Sequence, residues 1–214
     1  GSFGNNWRSS FDRSLVVTST TVKGKTTSVA EAIRADGRVL KFTSTGGAWI
    51  AAPDVVNALQ SLPGGGYRLT CGDDQAETYS SAGRIAAIAA REGFAQTRSY
   101  DASNRLAQVT DAFGRTMTFS YDSANRVAGM TDPAGKAYAY GYSTSGNLSA
   151  VQYPDLAQRS YHYESAAFPR ALTGITDENG ARWATFEYDS AGRAVRSALA
   201  GGAQSSTVFY YTNG

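Results

Sequence analysis

Over residues 67–214, apolar and polar positions alternate in short runs, each closed by a polar or glycine-bearing turn. The segment 115–121 is the clearest case. Met117, Phe119 and Tyr121 share one face, and Thr116, Thr118 and Ser120 share the other, the period-two signature of a half-buried strand. Tyr138, Tyr140 and Tyr142 line up in the same way, as do Tyr161 and Tyr163, and Phe186 and Tyr188. Strands at 106–110 and 127–131 fall between these aromatic strands. The first 66 residues also read as β, with runs at 15–22, 26–34 and 38–43 rich in β-branched residues. Turns are expected there at Lys23-Gly24-Lys25 and Asp36-Gly37, and loops at Gly46-Gly47 and Gly64-Gly65-Gly66. The segment 54–62 reads either as a short helix, capped by Asp54 and stopped by Pro63, or as an extended crossing. Any helix is expected to be a turn or two, in this segment.

A fixed period underlies the alternation. Tyr79, Tyr100, Tyr121, Tyr142 and Tyr163 are each 21 residues apart, and Tyr188 follows after 25, with residues 166–170 taking up the slack. Tyr100-Asp101-Ala-Ser-Asn104-Arg105-Leu106 matches the units at Tyr121 and Tyr188; the units at Tyr79 and Tyr142 carry Ser80 and Ser143 in place of Asp. A second turn lies halfway along each unit: Asp111 to Gly114, Asp132 to Gly135, Asp177 to Gly180. The first turn residues stand at 101, 111, 122, 132 and 143, alternating steps of 10 and 11. Asp or Ser at the first position accepts hydrogen bonds from the backbone just ahead. Gly or Asn at the fourth tolerates the left-handed conformation. Such a turn closes a hairpin, so Asp101, Asp111, Gly114, Asp122, Asp132, Gly135, Asp177, Gly180, Asp189 and Gly192 are assigned as structural turn residues. The alanines of 85–92 suggest a helix, but the repeat frame makes them strand. Ala90 occupies a turn-Asp position, so an irregular turn is expected there.

Composition sharpens this picture. Charged residues are 18%, Gly numbers 23 and Tyr 13 in 214 residues, which suits a turn-rich β protein and excludes a coiled coil, a collagen and a charged disordered tail. The net charge is +2 with no Lys/Arg block, so no nucleic-acid partner is implied. No apolar run approaches a membrane span. Cys71 is the lone cysteine and His162 the lone histidine, so neither an internal disulfide nor a metal cluster is expected. The glycines at 64–66 lack a following Lys-Ser/Thr and make no phosphate loop. No cofactor and no catalytic residue are assigned. The chain opens Gly1-Ser2 without Met, which reads as a piece of something longer.

The Tyr-Asp-x-x-Gly/Asn-Arg-Leu/Val unit resembles the YD repeat of the Rhs family. The opening, from Phe3-Gly4 through Trp7-Arg8 and Phe11-Asp12-Arg13 to Leu15, resembles the segment that begins the repeat region in bacterial Rhs and wall-associated-type proteins. The resemblance implies a curved β-sheet that is part of a hollow shell, with the shell housing a C-terminal toxin. Residues 1–66 read as a β region leading into repeats at 67–214, and with no Pro- or Ser-rich linker between them one continuous sheet across the 66/67 boundary is expected. It also implies a bacterial secreted or cell-surface setting, and as partners the rest of the shell and its enclosed toxin. The family's self-cleavage motif is Asp-Pro-x-Gly-Leu. Here Lys136 follows Asp132-Pro133-Ala134-Gly135, which reads as an ordinary turn.

Two function classes follow, neither enzymatic. One is a non-catalytic structural segment of the shell. The alternative is a surface module for carbohydrate or a protein partner, with Tyr100, Tyr121, Tyr142, Arg105 and Arg126 as candidate binding residues. The simpler reading of those tyrosines is core packing, and of the arginines, stacking on aromatic rings or pairing with turn aspartates. About twenty strands are expected at roughly ten residues each, too many for a flat open sheet. A lateral edge strand near Phe209-Tyr210-Tyr211 is expected to be exposed and to support self-association.

Overall fold

The computed structural model describes residues 2–211. The fold is an antiparallel all-β meander with two sheets rather than the single sheet expected. The first contains β1 (Ser14–Val22), β2 (Lys25–Ile33), β3 (Val39–Ser44) and β4 (Ile50–Ala51) in chain order. The second has fifteen strands, also in chain order, and its strand order does not close on itself. It begins with β5 (Ala58–Ser61), β6 (Tyr67–Thr70), β7 (Ala76–Tyr79), β8 (Ile85–Ala89), β9 (Ala95–Tyr100), β10 (Leu106–Thr110) and β11 (Thr116–Tyr121). It continues with β12 (Val127–Thr131), β13 (Ala137–Tyr142), β14 (Leu148–Gln152), β15 (Gln158–His162), β16 (Gly174–Thr176), β17 (Arg182–Tyr188), β18 (Ala194–Leu199) and β19 (Ser206–Thr207).

The alternating 10 and 11 steps now have a structural origin. Five-residue turns (101–105, 111–115, 122–126) alternate with strands of five residues (β10, β12, β14) and six (β11, β13). In each turn the first residue donates its N–H to the carbonyl four residues on, and the fourth donates its N–H back to the first; Asp111 to Arg115 (3.0 Å) and Gly114 to Asp111 (3.1 Å) are typical. The fourth residue has positive φ, as at Asn104 (65°), Gly114 (78°) and Asn125 (60°). At the Tyr-Asp hairpins the register shifts by one residue, as between Gly141 and Tyr142 against β14. Such a bulge increases local twist.

Three expectations are corrected. Of the two readings of 54–62 the extended one holds and the helix does not, since Ala58–Ser61 forms β5 and pairs antiparallel with β6; the helical element described is a 3-10 turn at Ala200–Gly202. The turn at Ala90 is regular, with Ala90 N–H to Phe94 O (2.9 Å) and Gly93 N–H to Ala90 O (3.0 Å). The strand at the end of the sheet is β19, while 209–211 form no strand. There the backbone bonds back through Val208 N–H to Val195 O, and Tyr210 seats its ring under Arg193.

Contacts divide the chain into two compact units, Arg8–Phe119 and Gly1–Trp7 with Ser120–Gly214. In the first, β1–β3 pack on β5–β8 around Leu15, Ala30, Ala32, Leu40, Phe42, Leu59, Leu69, Tyr79 and Ile85. Alternation does this work: in β3, Leu40, Phe42 and Ser44 point in while Val39, Lys41 and Thr43 point out. Burying one Leu or Phe side chain contributes roughly 1.5–3 kcal/mol. Among the described residues of the second unit, the buried hydrophobic side chains are Val127, Leu148, Ala184 and Ala198, spread along the strands, and the Asn147 side chain is buried with them.

Candidate functional site

The repeat residues assemble into one recurring staple. In each Tyr-Asp turn the Asp carboxylate accepts the N–H of the residue four positions on. Asp101 takes Arg105 N–H at 2.8 Å, Asp122 takes Arg126 N–H at 2.8 Å, and Asp189 takes Arg193 N–H at 2.9 Å. Its second oxygen holds the same arginine's Nε at 2.7–2.8 Å. The guanidinium thus lies flat along the turn. That of Arg126 sits 4.3 Å over the Tyr142 ring, and that of Arg193 sits 4.3 Å over Tyr210, so the arginines both pair and stack. Hydrogen bonds from the backbone N–H groups of the turn, and then from the Arg side chains, hold Asp101, Asp122 and Asp189 below the usual carboxylate range.

The tyrosine hydroxyls complete the staple. Tyr100 donates to the Ile85 carbonyl (2.7 Å), Tyr142 to Val127 (2.7 Å) and Tyr163 to Leu148 (3.0 Å), each 15 residues back. Tyr188 to Leu172 (2.8 Å) and Tyr210 to Ala194 (3.0 Å) continue the pattern. Ile85, Val127 and Leu148 are the apolar residues that follow the turn, and their side chains are buried. One position therefore fills the core with its side chain and anchors the next unit's tyrosine with its carbonyl. Burial raises the Tyr100 and Tyr142 phenols above their ordinary value.

Each sequence-assigned residue can now be placed. Tyr142 and Arg126 touch as ring and cation. Tyr100 spends its hydroxyl on Ile85 and Arg105 its guanidinium on Asp101. Tyr121 is half-buried at the end of β11. Asp111 holds Arg115, while Asp132 and Asp177 cap backbone N–H groups. Cys71 opens a turn and is half-buried, with its thiol pushed up by burial. His162 Nε2 lies 2.7 Å from Thr176 Oγ1.

Two constellations escaped the sequence reading. The first is Glu77, fully buried in the Arg8–Phe119 unit. Its carboxylate accepts two bonds from Arg34 (2.5 and 2.7 Å), one from Arg13 (2.5 Å) and one from the Tyr79 hydroxyl (2.6 Å). Burial alone would raise its pKa, but Arg34, Tyr79 and Arg13 together outweigh burial and hold it below the ordinary value. Burial and the Glu77 charge push the Tyr79 phenol far up. The signal available was a Glu inside a strand; its arginines lie 43 and 64 residues away.

The second is the N-terminal strap of the other unit. Ser2 O accepts Val127 N–H (2.8 Å) and Asn5 N–H reaches Gly146 O (3.0 Å). Gly4 is needed there, since a Cβ would lie 2.7 Å from Gly146 O and φ is +87°. Phe3 meets Tyr140 edge-on at 5.0 Å and Trp7 meets Tyr161 at 4.8 Å. Trp7 Nε1 donates to the Tyr163 hydroxyl (2.7 Å), which itself donates to Leu148. The Phe3 and Trp7 rings thus lie against the aromatic faces of β13 and β15.

Residues 75–214 match the teneurin YD-shell family. The chain belongs to that family. No curated protein matches its sequence. Among solved structures, this YD-shell chain is similar to the TcdB2-TccC3 complex at 15% identity and a TM-score of 0.49, over 86% of this chain and 12% of that one. A TcdB2-TccC3-TEV structure gives the same identity and TM-score over 86% and 11%. A Photorhabdus luminescens Tc holotoxin pore gives 14% and 0.46 over 86% and 12%. The YD-shell chain therefore spans 11–12% of the length of these structures. Among the described residues, no three metal-ligating side chains converge, and no helix is long and apolar enough to cross a membrane.

Proposed function

We propose that this chain is a wall segment of an Rhs-type bacterial shell, itself non-catalytic, and that in the full-length protein the shell houses a C-terminal toxin. The observation that carries the reading is the use of the repeat residues. The Asp carboxylates hold turns, the arginines lie along those turns, and the tyrosine hydroxyls bind the backbone of the preceding unit. Their polar atoms are spent on the wall, which supports a structural role for Tyr100, Tyr142, Arg105 and Arg126 rather than ligand binding. The partners are then the remaining wall and the enclosed segment, in a protein that is secreted or displayed at the cell surface.

Limited proteolysis of the full-length protein tests this. The segment C-terminal to the repeats resists protease in the intact protein and becomes digestible in urea concentrations that melt the repeats. Digestion of that segment at the same rate in both conditions would overturn the proposal.

A further inference from the structure

The outermost strands of the two sheets differ in length. β4 and β19 have two residues each and β5 has four, whereas β1 has nine. Short edge strands are one way in which proteins keep exposed backbone from pairing with other chains; charged side chains, Pro and bulges are others. β1 carries none of these. Residues 14–22 include no charge, no Pro and no Gly, and the register with β2 runs without a bulge from Ser14 against Ile33 to Val22 against Lys25.

The outer side of β1 is covered at its start. Leu15 N–H donates to Gly83 O (2.9 Å), and Ser14 bridges to Arg84. Backbone groups alternate sides along a strand, so Val17, Ser19 and Thr21 also turn their N–H and C=O groups away from β2. Among the described residues, none of these three meets a backbone partner on that side. Residues 18–27 are all exposed, so the β1–β2 ribbon stands clear of the packed core beyond Val17.

The chemistry of this edge matches itself. The charges in 14–28 are Lys23 and Lys25, at the ribbon tip. The Ser19 and Ser28 hydroxyls meet at 2.8 Å, as do those of Thr21 and Thr26, and a hydroxyl engaged once still has a lone pair for a further bond. Antiparallel pairing of β1 with β1 of a second copy, about a two-fold axis, uses all three free residues. Ser19 then faces Ser19 of the copy, and Val17 faces its Thr21, a hydroxyl pair flanked by β-branched pairs. Pairing stops at Val17, because Gly83 already holds Leu15. The Lys23 tips go to opposite ends, about 26 Å apart at ~3.3 Å per residue, beyond the ~10 Å reach of screened charge. Parallel pairing would instead set Lys23 beside Lys23.

We propose that β1 is a strand-addition site through which two copies of this chain pair antiparallel, edge to edge. The contact lies outside the repeat staples and does not depend on the wall reading. The paired stretch, 17–21, is short and buries less than the ~1,200 Å2 of a stable complex, so the dimer is weak and reversible. Sedimentation velocity on the full chain, from micromolar to millimolar protein, tests it, and a monomer–dimer equilibrium is expected. Ser19→Pro removes an N–H that β2 does not use, so it should keep the fold by circular dichroism and abolish the dimer. Thr21→Lys, at an exposed position, should weaken the dimer at least about tenfold and guards against a folding defect in the proline variant. Thr207→Lys, on β19 at the edge of the other sheet, should leave it unchanged. A strict monomer throughout would overturn the proposal and assign the edge to some other strand. Association unchanged by Thr21→Lys, or weakened as much by Thr207→Lys as by Thr21→Lys, would overturn it too.

Discussion

Replacing Glu77 by Gln should be the most damaging isosteric change in the Arg8–Phe119 unit. The side chain is fully buried and accepts four hydrogen bonds, three of them from guanidinium groups. Gln keeps the shape but removes the charge, and its amide NH2 would confront a donor. Arg34, whose side chain is 12% exposed, would keep its charge without a carboxylate. Breaking a buried pair from one side costs about 3–5 kcal/mol, a large share of the ~5–15 kcal/mol that holds a domain folded. The effect also has a pH signature. Glu77 is held below its ordinary range when folded, so on acidification it takes up its proton later than in the unfolded chain. Its contribution is whole above the unfolded carboxylate value of about 4.3 and is lost as pH falls through the folded value. Urea titration, read by amide exchange in β6–β8, should show a loss of about 3–5 kcal/mol for Glu77→Gln at pH 7. The variant's stability should also depend less on pH below about 5 than that of the parent. A loss under about 1 kcal/mol at pH 7, or an unchanged acid limb, would refute the reasoning.

Three other outcomes are expected. Gly83→Ala and Gly114→Ala both place a side chain at positive φ, but the new Cβ at 83 would clash with the Leu15 carbonyl oxygen while that at 114 meets nothing within 4 Å. Thermal melts should therefore show about 1–2 kcal/mol for Gly114→Ala and clearly more for Gly83→Ala. Tyr142→Phe removes the bond to Val127 O but leaves the ring under Arg126, so chemical denaturation should show a loss of about 1 kcal/mol, and equal stability would show the hydroxyl to be idle. Leu156→Asn installs the residue type found at the same turn position at 104 and 125; the melting temperature should rise, and a fall would mean that Leu156 packs on something essential.

The repeat was legible because its chemistry is local. An Asp and a Gly or Asn three residues apart specify the turn whatever surrounds them, and the strand bounds at 106–110 and 127–131 follow directly. Where the Asp is missing, as at Ala90 and Tyr153, the turn still forms, because the paired strands on either side impose it. The segment 54–62 stayed ambiguous because Asp and Pro are cues for turns as well as for helix ends, and pairing with β6 decided for the extended reading. Glu77 and the Phe3–Trp7 strap were hidden for a different reason. Their partners lie 43 to 156 residues away, and nothing in the local pattern of a strand says which distant arginine or tyrosine will reach it. The tyrosine period was visible in the sequence, but the carbonyl that each hydroxyl binds emerged only from the strand register.

A cryo-EM reconstruction of the full-length protein is the most direct test of the wall-segment reading. The account predicts that β5–β19 continue strand by strand into a wall surrounding density for the segment C-terminal to the repeats. A reconstruction in which these strands end in solvent on both sides, with no enclosed volume, would contradict it.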